Sequence, residues 1–159
     1  MASEWDFRGD WIGQYCYDTT PSVSRPTPTV SFSMSLRSTW LGGLRGNVQD
    51  DPKTGMPERG IIRGKVNALK IDFTKLMPVC HVLLNGKSVR LSVQLGLDYE
   101  VPHPEIFYQG EYSPADDTVR GTWLLPARTI RLRSGLRLLA MKFAETTGSW
   151  DMSRARFGS

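Results

Sequence analysis

Apolar and polar residues alternate with period two along most of this chain. In "VSFSMSLRS", Val30, Phe32, Met34 and Leu36 share one face, while Ser31, Ser33, Ser35 and Arg37 share the other. The pattern returns in "DWIGQYCYD", "GLRGNVQDD", "IIRGKV", "LKIDFTK", "EIFYQGEY", "TVRGTWLL" and "TTGSWDMSR", and no stretch carries a helical period. Successive side chains of a strand point to opposite faces, so each stretch predicts a strand with one apolar and one wetted side.

Six of these eight strands place a glycine on the apolar face, mostly between bulky residues two positions away. The pairs are Trp11/Tyr15, Leu44/Val48, Ile62/Val66, Tyr108/Tyr112 and Val119/Trp123, and Gly148 precedes Trp150. Glycine weakens a strand unless the backbone bends sharply or something approaches it closely. Side-chain-free positions on a concave face let a sheet coil and leave room for an aromatic from the opposite wall. Closure also removes edge strands. The expected fold is all-β: an eight-stranded antiparallel up-and-down β-barrel, one domain over residues 1–159.

The connections divide by length. Residues 19–29, 51–59, 76–104 and 126–146 form long ones, and "TWLG", Asn67-Ala68 and "SPADD" form short ones. In an up-and-down barrel alternate connections share an end, so all the long ones fall at one rim, where binding usually lives. The insertions 76–104 and 126–146 read as hairpins, the first turning at Asn85-Gly86 and the second at Ser134-Gly135. Both are expected at the open end as lids. Leu83, Leu84, Leu138 and Leu139 need cover, and a homodimer through the hairpins would supply it.

Composition narrows the function classes. No segment is long and apolar enough to span a bilayer, and "MASEWDFRGD" lacks the pattern of a secretory signal, so a cytoplasmic protein that does not engage a membrane is expected. Cys16 and Cys80 fit no metal spacing and read as reduced thiols. The net charge is +4, with Arg128, Arg131, Arg133 and Arg137 clustered in "RTIRLRSGLR". Nucleic-acid binding wants a larger basic stripe with interleaved aromatics, so no nucleic acid is expected. The cluster reads as a solvated face that could attract an acidic ligand.

The inner wall towards the open rim is expected to present Tyr15, Tyr17, Phe32, Met34, Phe73, Tyr108, Trp123 and Trp150. Such a wall suits a small, largely apolar or aromatic molecule held by a few hydrogen bonds. The other outcome is a barrel filled by its own side chains, serving as an interaction module. Asp50 and Lys75 interrupt the apolar face at the rim ends of their strands. Turned inward they would pair and, with Tyr17 or Tyr108, could transfer a proton. Strand ends commonly fray, which would leave both charges in water. No Ser-His-Asp order, phosphate loop or dinucleotide fingerprint occurs, and two histidines do not make a zinc site. Neither a cofactor nor a metal is expected.

Gly9-Asp10-Trp11 at the start of the first strand, with Arg154 at the end of the last, resembles the signature of the calycin superfamily of lipocalin-like and avidin-like barrels. "GTW" and "GSW" look more avidin-like. The resemblance implies that Trp11 plugs the closed end with Arg154 packed across it. It also implies a ligand-binding barrel or, on the same scaffold, a cofactor-free cyclase or isomerase; the candidate catalytic groups Asp50, Lys75 and Tyr17 come from the strand pattern itself. The polar set that avidins use for biotin is not matched. Some lipocalin-like barrels bind haem through a histidine, but His103 in "VPHPE" reads as part of a rigid exposed loop.

Overall fold

The computed structural model describes residues 4–18, 29–84 and 87–156. The expected connection over 19–28, the Asn85-Gly86 turn and the side chains of Leu83 and Leu84 lie outside the described residues. In chain order the elements are β1 (Gly9–Tyr17), β2 (Val30–Ser38), β3 (Leu44–Asp50), β4 (Arg59–Asn67), β5 (Lys70–Leu76), β6 (His81–Leu84), β7 (Lys87–Arg90), α1 (Leu91–Leu95), β8 (Ile106–Ser113), β9 (Thr118–Leu125), β10 (Arg128–Ser134), β11 (Arg137–Phe143) and β12 (Thr146–Arg154). Eight of the strands close into an antiparallel barrel in the order β1-β12-β9-β8-β5-β4-β3-β2. β6 pairs with β7, and β10 with β11, as separate two-stranded sheets from the two longest connections.

Alternation produces the barrel directly. On β2, Val30, Phe32, Met34 and Leu36 are buried and the residues between them are exposed. The glycines do what the pattern suggested, with one difference: the aromatic comes from the adjacent strand or the next but one, not from the opposite wall. Trp123 of β9 faces Gly148 of β12 in register. A Cβ on Gly148 would stand 2.0 Å from the Cys16 carbonyl oxygen and 2.4 Å from the Trp123 indole nitrogen. Trp150 likewise lies over Gly110, where a Cβ would come within 2.5 Å of its ring. Each indole N–H donates to a strand carbonyl, Trp123 to Cys16 at 3.0 Å and Trp150 to both Gln109 and Thr122 at 3.1 Å. Two rings thus fill the lumen and tie strands together.

The end bearing the short connections is closed. Trp11 is fully buried and the Arg154 guanidinium lies 4.5 Å from its ring centre, the stack that the sequence suggested. Arg154 also donates to the carbonyls of Arg8 and Asp6, and the Trp11 indole N–H donates to Phe7. The segment before β1 completes the plug. Phe7 is buried beside Trp11, and Trp5 stacks on Tyr112 with ring centres 3.9 Å apart. Its backbone N–H bonds Ala68 in the β4–β5 turn. Period-two patterning gave no hint of Trp5 and Phe7, because they lie outside any strand.

One boundary departs from expectation. The apolar run "RLSVQL" after β7 does not continue the hairpin. β7 ends at Arg90, and Leu91–Leu95 forms a short helix that Gly96 terminates at φ 66°. Leu91 is buried and packs with Cys80, Val101 and Leu132 in a second core beneath the two small sheets. That core also covers half-buried Leu139, whereas Leu138 projects outwards.

Gly148→Ala should lower the melting temperature by roughly 3–10 °C, equivalent to about 1–3 kcal/mol, because its methyl group meets backbone that cannot yield. Ser33→Ala, on the exposed side of β2, should stay within about 0.5 kcal/mol of the parent. Thermal unfolding followed by circular dichroism measures both, and equal melting points would remove the close-packing account.

Candidate functional site

Asp50 ends β3 and Lys75 lies next to the end of β5, both at the rim with the long connections. Both turn inward. The Lys75 side chain is 2 % exposed and that of Asp50 is 0 %, so the alternative of frayed, solvated ends is not what the chain adopts. Lys75 Nζ donates to both carboxylate oxygens, at 2.8 and 3.0 Å. The Tyr15 hydroxyl donates to Asp50 Oδ2 at 2.9 Å, and the Met56 N–H approaches the same oxygen at 3.4 Å. The ammonium also lies 4.8 Å from the centre of the Tyr15 ring.

Burial dominates the electrostatics of this cluster. Loss of hydration lowers the pKa of Lys75 below its usual range, opposed by the charge and hydrogen bonds of Asp50. Tyr15, Tyr17 and Tyr108 are all pushed upward, first by burial and then by the nearby Asp50 carboxylate. The sequence placed Tyr17 beside the ion pair. Tyr15 is the residue that bonds Asp50, while the Tyr17 ring stands edge-on to Trp123 at 5.0 Å.

Above the cluster is a cavity of about 90 Å³, lined by Tyr15, Tyr17, Met56, His103, Ile106, Tyr108, Trp123, Leu125 and Thr146. Of the expected wall, Tyr15, Tyr17, Tyr108 and Trp123 border it. Phe32, Met34, Phe73 and Trp150 lie instead in the packed lumen, where Phe73 stacks on Tyr108 at 4.8 Å. Among the described residues, buried side chains fill the lumen from Trp11 up to the aromatic ring around Asp50 and Lys75, and this cavity lies at the mouth. A larger groove of about 600 Å³ runs over β1, β2, β3, β12 and the start of the β3–β4 connection; Asp50, Asp51 and Asp151 are among its lining residues, but none of the aromatic rings around the ion pair is, except Phe32.

His103 was expected on an exposed loop, yet it lines this cavity and its ring lies 6.4 Å from that of Phe143 on β11. Its Nδ1 lies 2.7 Å from the Pro104 carbonyl, which can only accept, so Nδ1 carries the proton and Nε2 is the acceptor. Burial lowers its pKa below the usual 6.5, outweighing the Pro104 bond, and Lys75 and His81 lower it further; the imidazole is neutral at pH 7. The flanking prolines do hold the segment extended, but the fold lays it across the mouth. Met56, Ile106, Leu125 and Thr146 were not among the expected wall residues: Ile106 and Leu125 share the apolar face of their period-two stretches but stand at strand ends, Thr146 starts β12, and Met56 lies in a connection. His81 is engaged elsewhere, its Nε2 2.9 Å from Glu58. Cys16 and Cys80 are both free, and burial raises the Cys80 thiol to about 11.

No protein-family model, curated protein or solved structure matches this chain.

Removing either partner of the buried pair strands the other charge. Lys75→Met or Asp50→Leu alone should cost about 3–5 kcal/mol, while the double variant should recover most of that loss. A double-mutant cycle by denaturant unfolding measures this, and additive losses would show that the charges act independently. Alkaline stability follows from the tyrosines. The unfolded chain releases their protons near pH 10, whereas the folded chain retains them on Tyr15, Tyr17 and Tyr108. Above about pH 10 the folded state thus binds more protons and its stability falls as pH rises; below that pH these groups contribute no slope. Phenolate absorbance of these residues should then appear together with unfolding, not before it.

Proposed function

We propose that this barrel binds a small, largely apolar or aromatic molecule at its loop-bearing end, with a hydrogen-bonding group of the guest directed towards the Tyr15–Asp50–Lys75 cluster. The observation that carries this reading is a fully buried ion pair joined through Tyr15 to an aromatic-lined cavity at the loop-bearing end of the lumen. A buried pair adds little stability over apolar residues of similar size. Tyr15, which bonds Asp50, also lines the cavity, and this link supports a role in recognition. The Trp11–Arg154 stack across the closed end supports a calycin-like barrel as the scaffold. The two free thiols support a reducing, cytoplasmic setting.

Size constrains the guest. About 90 Å³ holds roughly three waters and is smaller than a cavity of ~150 Å³ that accommodates benzene. The chamber as it stands takes the end of a molecule. The rest lies under the cap built by the two small sheets, and Met56 and the His103 segment give way to admit it.

A second reading has its own support. Lys75, Asp50 and Tyr15 form a dry acid–base set beside neutral His103, as a cofactor-free cyclase or isomerase would use to restrain a substrate and stabilise developing charge.

Native mass spectrometry of freshly purified protein tests the first reading. The parent should retain a bound mass, and Thr146→Phe, which fills the half-buried mouth, should lose it with the circular dichroism spectrum unchanged. A parent with no retained mass, and with no change in tryptophan fluorescence on titration with phenol or indole, would sink it. The charge-free pair Lys75→Met/Asp50→Leu separates the two roles. Loss of retention assigns the charges to recognition, and unchanged retention leaves them to catalysis.

A further inference from the structure

The sheet formed by β10 and β11 carries Arg128, Arg131, Arg133, Arg137 and Lys142, with no acid between residues 128 and 142. These five cations exceed the whole chain's net charge of +4, so the rest of the molecule is slightly negative. Among the described residues, none of the five forms an ion pair with a carboxylate. The sheet has two distinct faces. Leu132, Ile130, Leu139, Met141 and Phe143 face the second core. Arg131, Arg133 and Lys142 lie on the outer face, with Leu138 beside Arg133 in register. At the turn, where Gly135 takes φ 60°, Leu136 is fully exposed at 105 % and Leu138 is 76 % exposed.

We propose that the β10–β11 hairpin docks on an anionic lipid bilayer, its tip leucines entering the interface and its cations meeting lipid phosphates. Two exposed leucines beside three outward cations, Arg131, Arg133 and Lys142, have the composition of an interfacial element. Each Leu buried and each cation held near an anionic surface contributes modestly, and together they suffice for reversible binding. A second copy of the chain fits this face poorly, since it would set the outward cations Arg131, Arg133 and Lys142 against their own copies, with only Leu136 and Leu138 as exposed large apolar residues to bury. Nucleic acid fits poorly too, because the only aromatic on the hairpin, Phe143, turns inward. Among the described residues no helix is long and apolar enough to cross a membrane, and this docking requires no such span.

The docked orientation faces the cavity mouth towards the lipid. Tyr99 links the hairpin to the long β5–β8 connection, its hydroxyl 2.9 Å from the Arg133 carbonyl, and Phe143 packs near His103 at the cavity. An apolar guest would then pass between bilayer and barrel without crossing water. This consequence rests on the proposed binding function; the docking does not.

Co-sedimentation with vesicles tests it. Full-length protein should partition onto phosphatidylcholine vesicles containing phosphatidylglycerol, and only weakly onto phosphatidylcholine alone, with binding falling as salt rises. Arg131→Gln/Arg133→Gln should reduce partition by about 30-fold. Leu136→Asp should reduce it further while leaving the melting temperature unchanged, since the side chain touches nothing. Trp40→Ser/Leu41→Ser, at an exposed turn on the opposite end, should bind like the parent. Four outcomes would overturn the proposal: no binding to anionic vesicles, equal binding to neutral ones, loss only in the Trp40/Leu41 variant, or a solution dimer that Leu136→Asp converts to monomer. Binding of a single-stranded oligonucleotide lost in the same arginine variant, without vesicle binding, would assign the hairpin to nucleic acid instead. Because no arm uses the cavity's guest, failure here and failure of the binding function are separable.

Discussion

An indole laid over a glycine on another strand is the contact on which the closure of this barrel depends. Trp123 occupies the space that a Gly148 side chain would need, and Trp150 occupies that of Gly110. Each indole N–H reaches across to a strand carbonyl. A large ring gives the lumen its volume, and the missing Cβ lets the sheet coil tightly enough to bring β1 back against β12. The same substitution of space governs the wall: where glycines admit rings, little cavity remains.

That economy explains why the candidate site sits so high in the barrel. Among the described residues, buried side chains pack the lumen up to the level at which Asp50 and Lys75 meet, and the cavity beside Tyr15 lies at the mouth. Aromatic packing around the pair removes water from it. A dry carboxylate accepting three strong hydrogen bonds, two from Lys75 and one from Tyr15, is held in one geometry. Such preorganisation serves recognition or proton transfer far better than it serves stability. The two small sheets and α1 share a core separate from that of the barrel.

Much of the barrel was legible because alternation is a local property. Eight period-two stretches became eight barrel strands, and the glycine positions pointed to closure. The site was legible only in part. Asp50 and Lys75 stood out as charges on an apolar face, but whether they paired depended on β3 and β5, on either side of β4, bringing together residues 25 apart in the chain. Tyr15 and Tyr17 share a face, and only the coil of β1 decided which hydroxyl reached Asp50. Trp5, Phe7 and His103 carried no usable signal. They belong to irregular segments, whose position comes from what they pack against.

Sequence alone determined strand number, the inward residues, the glycine-dependent closure and the segregation of long connections to one rim, because each follows from side-chain periodicity and chain connectivity. Tertiary structure decided how much of the lumen stayed open, that the two rim charges are buried together, and that a proline-flanked histidine covers the mouth. These depend on the volumes and distances between residues far apart in the chain, which no local pattern encodes.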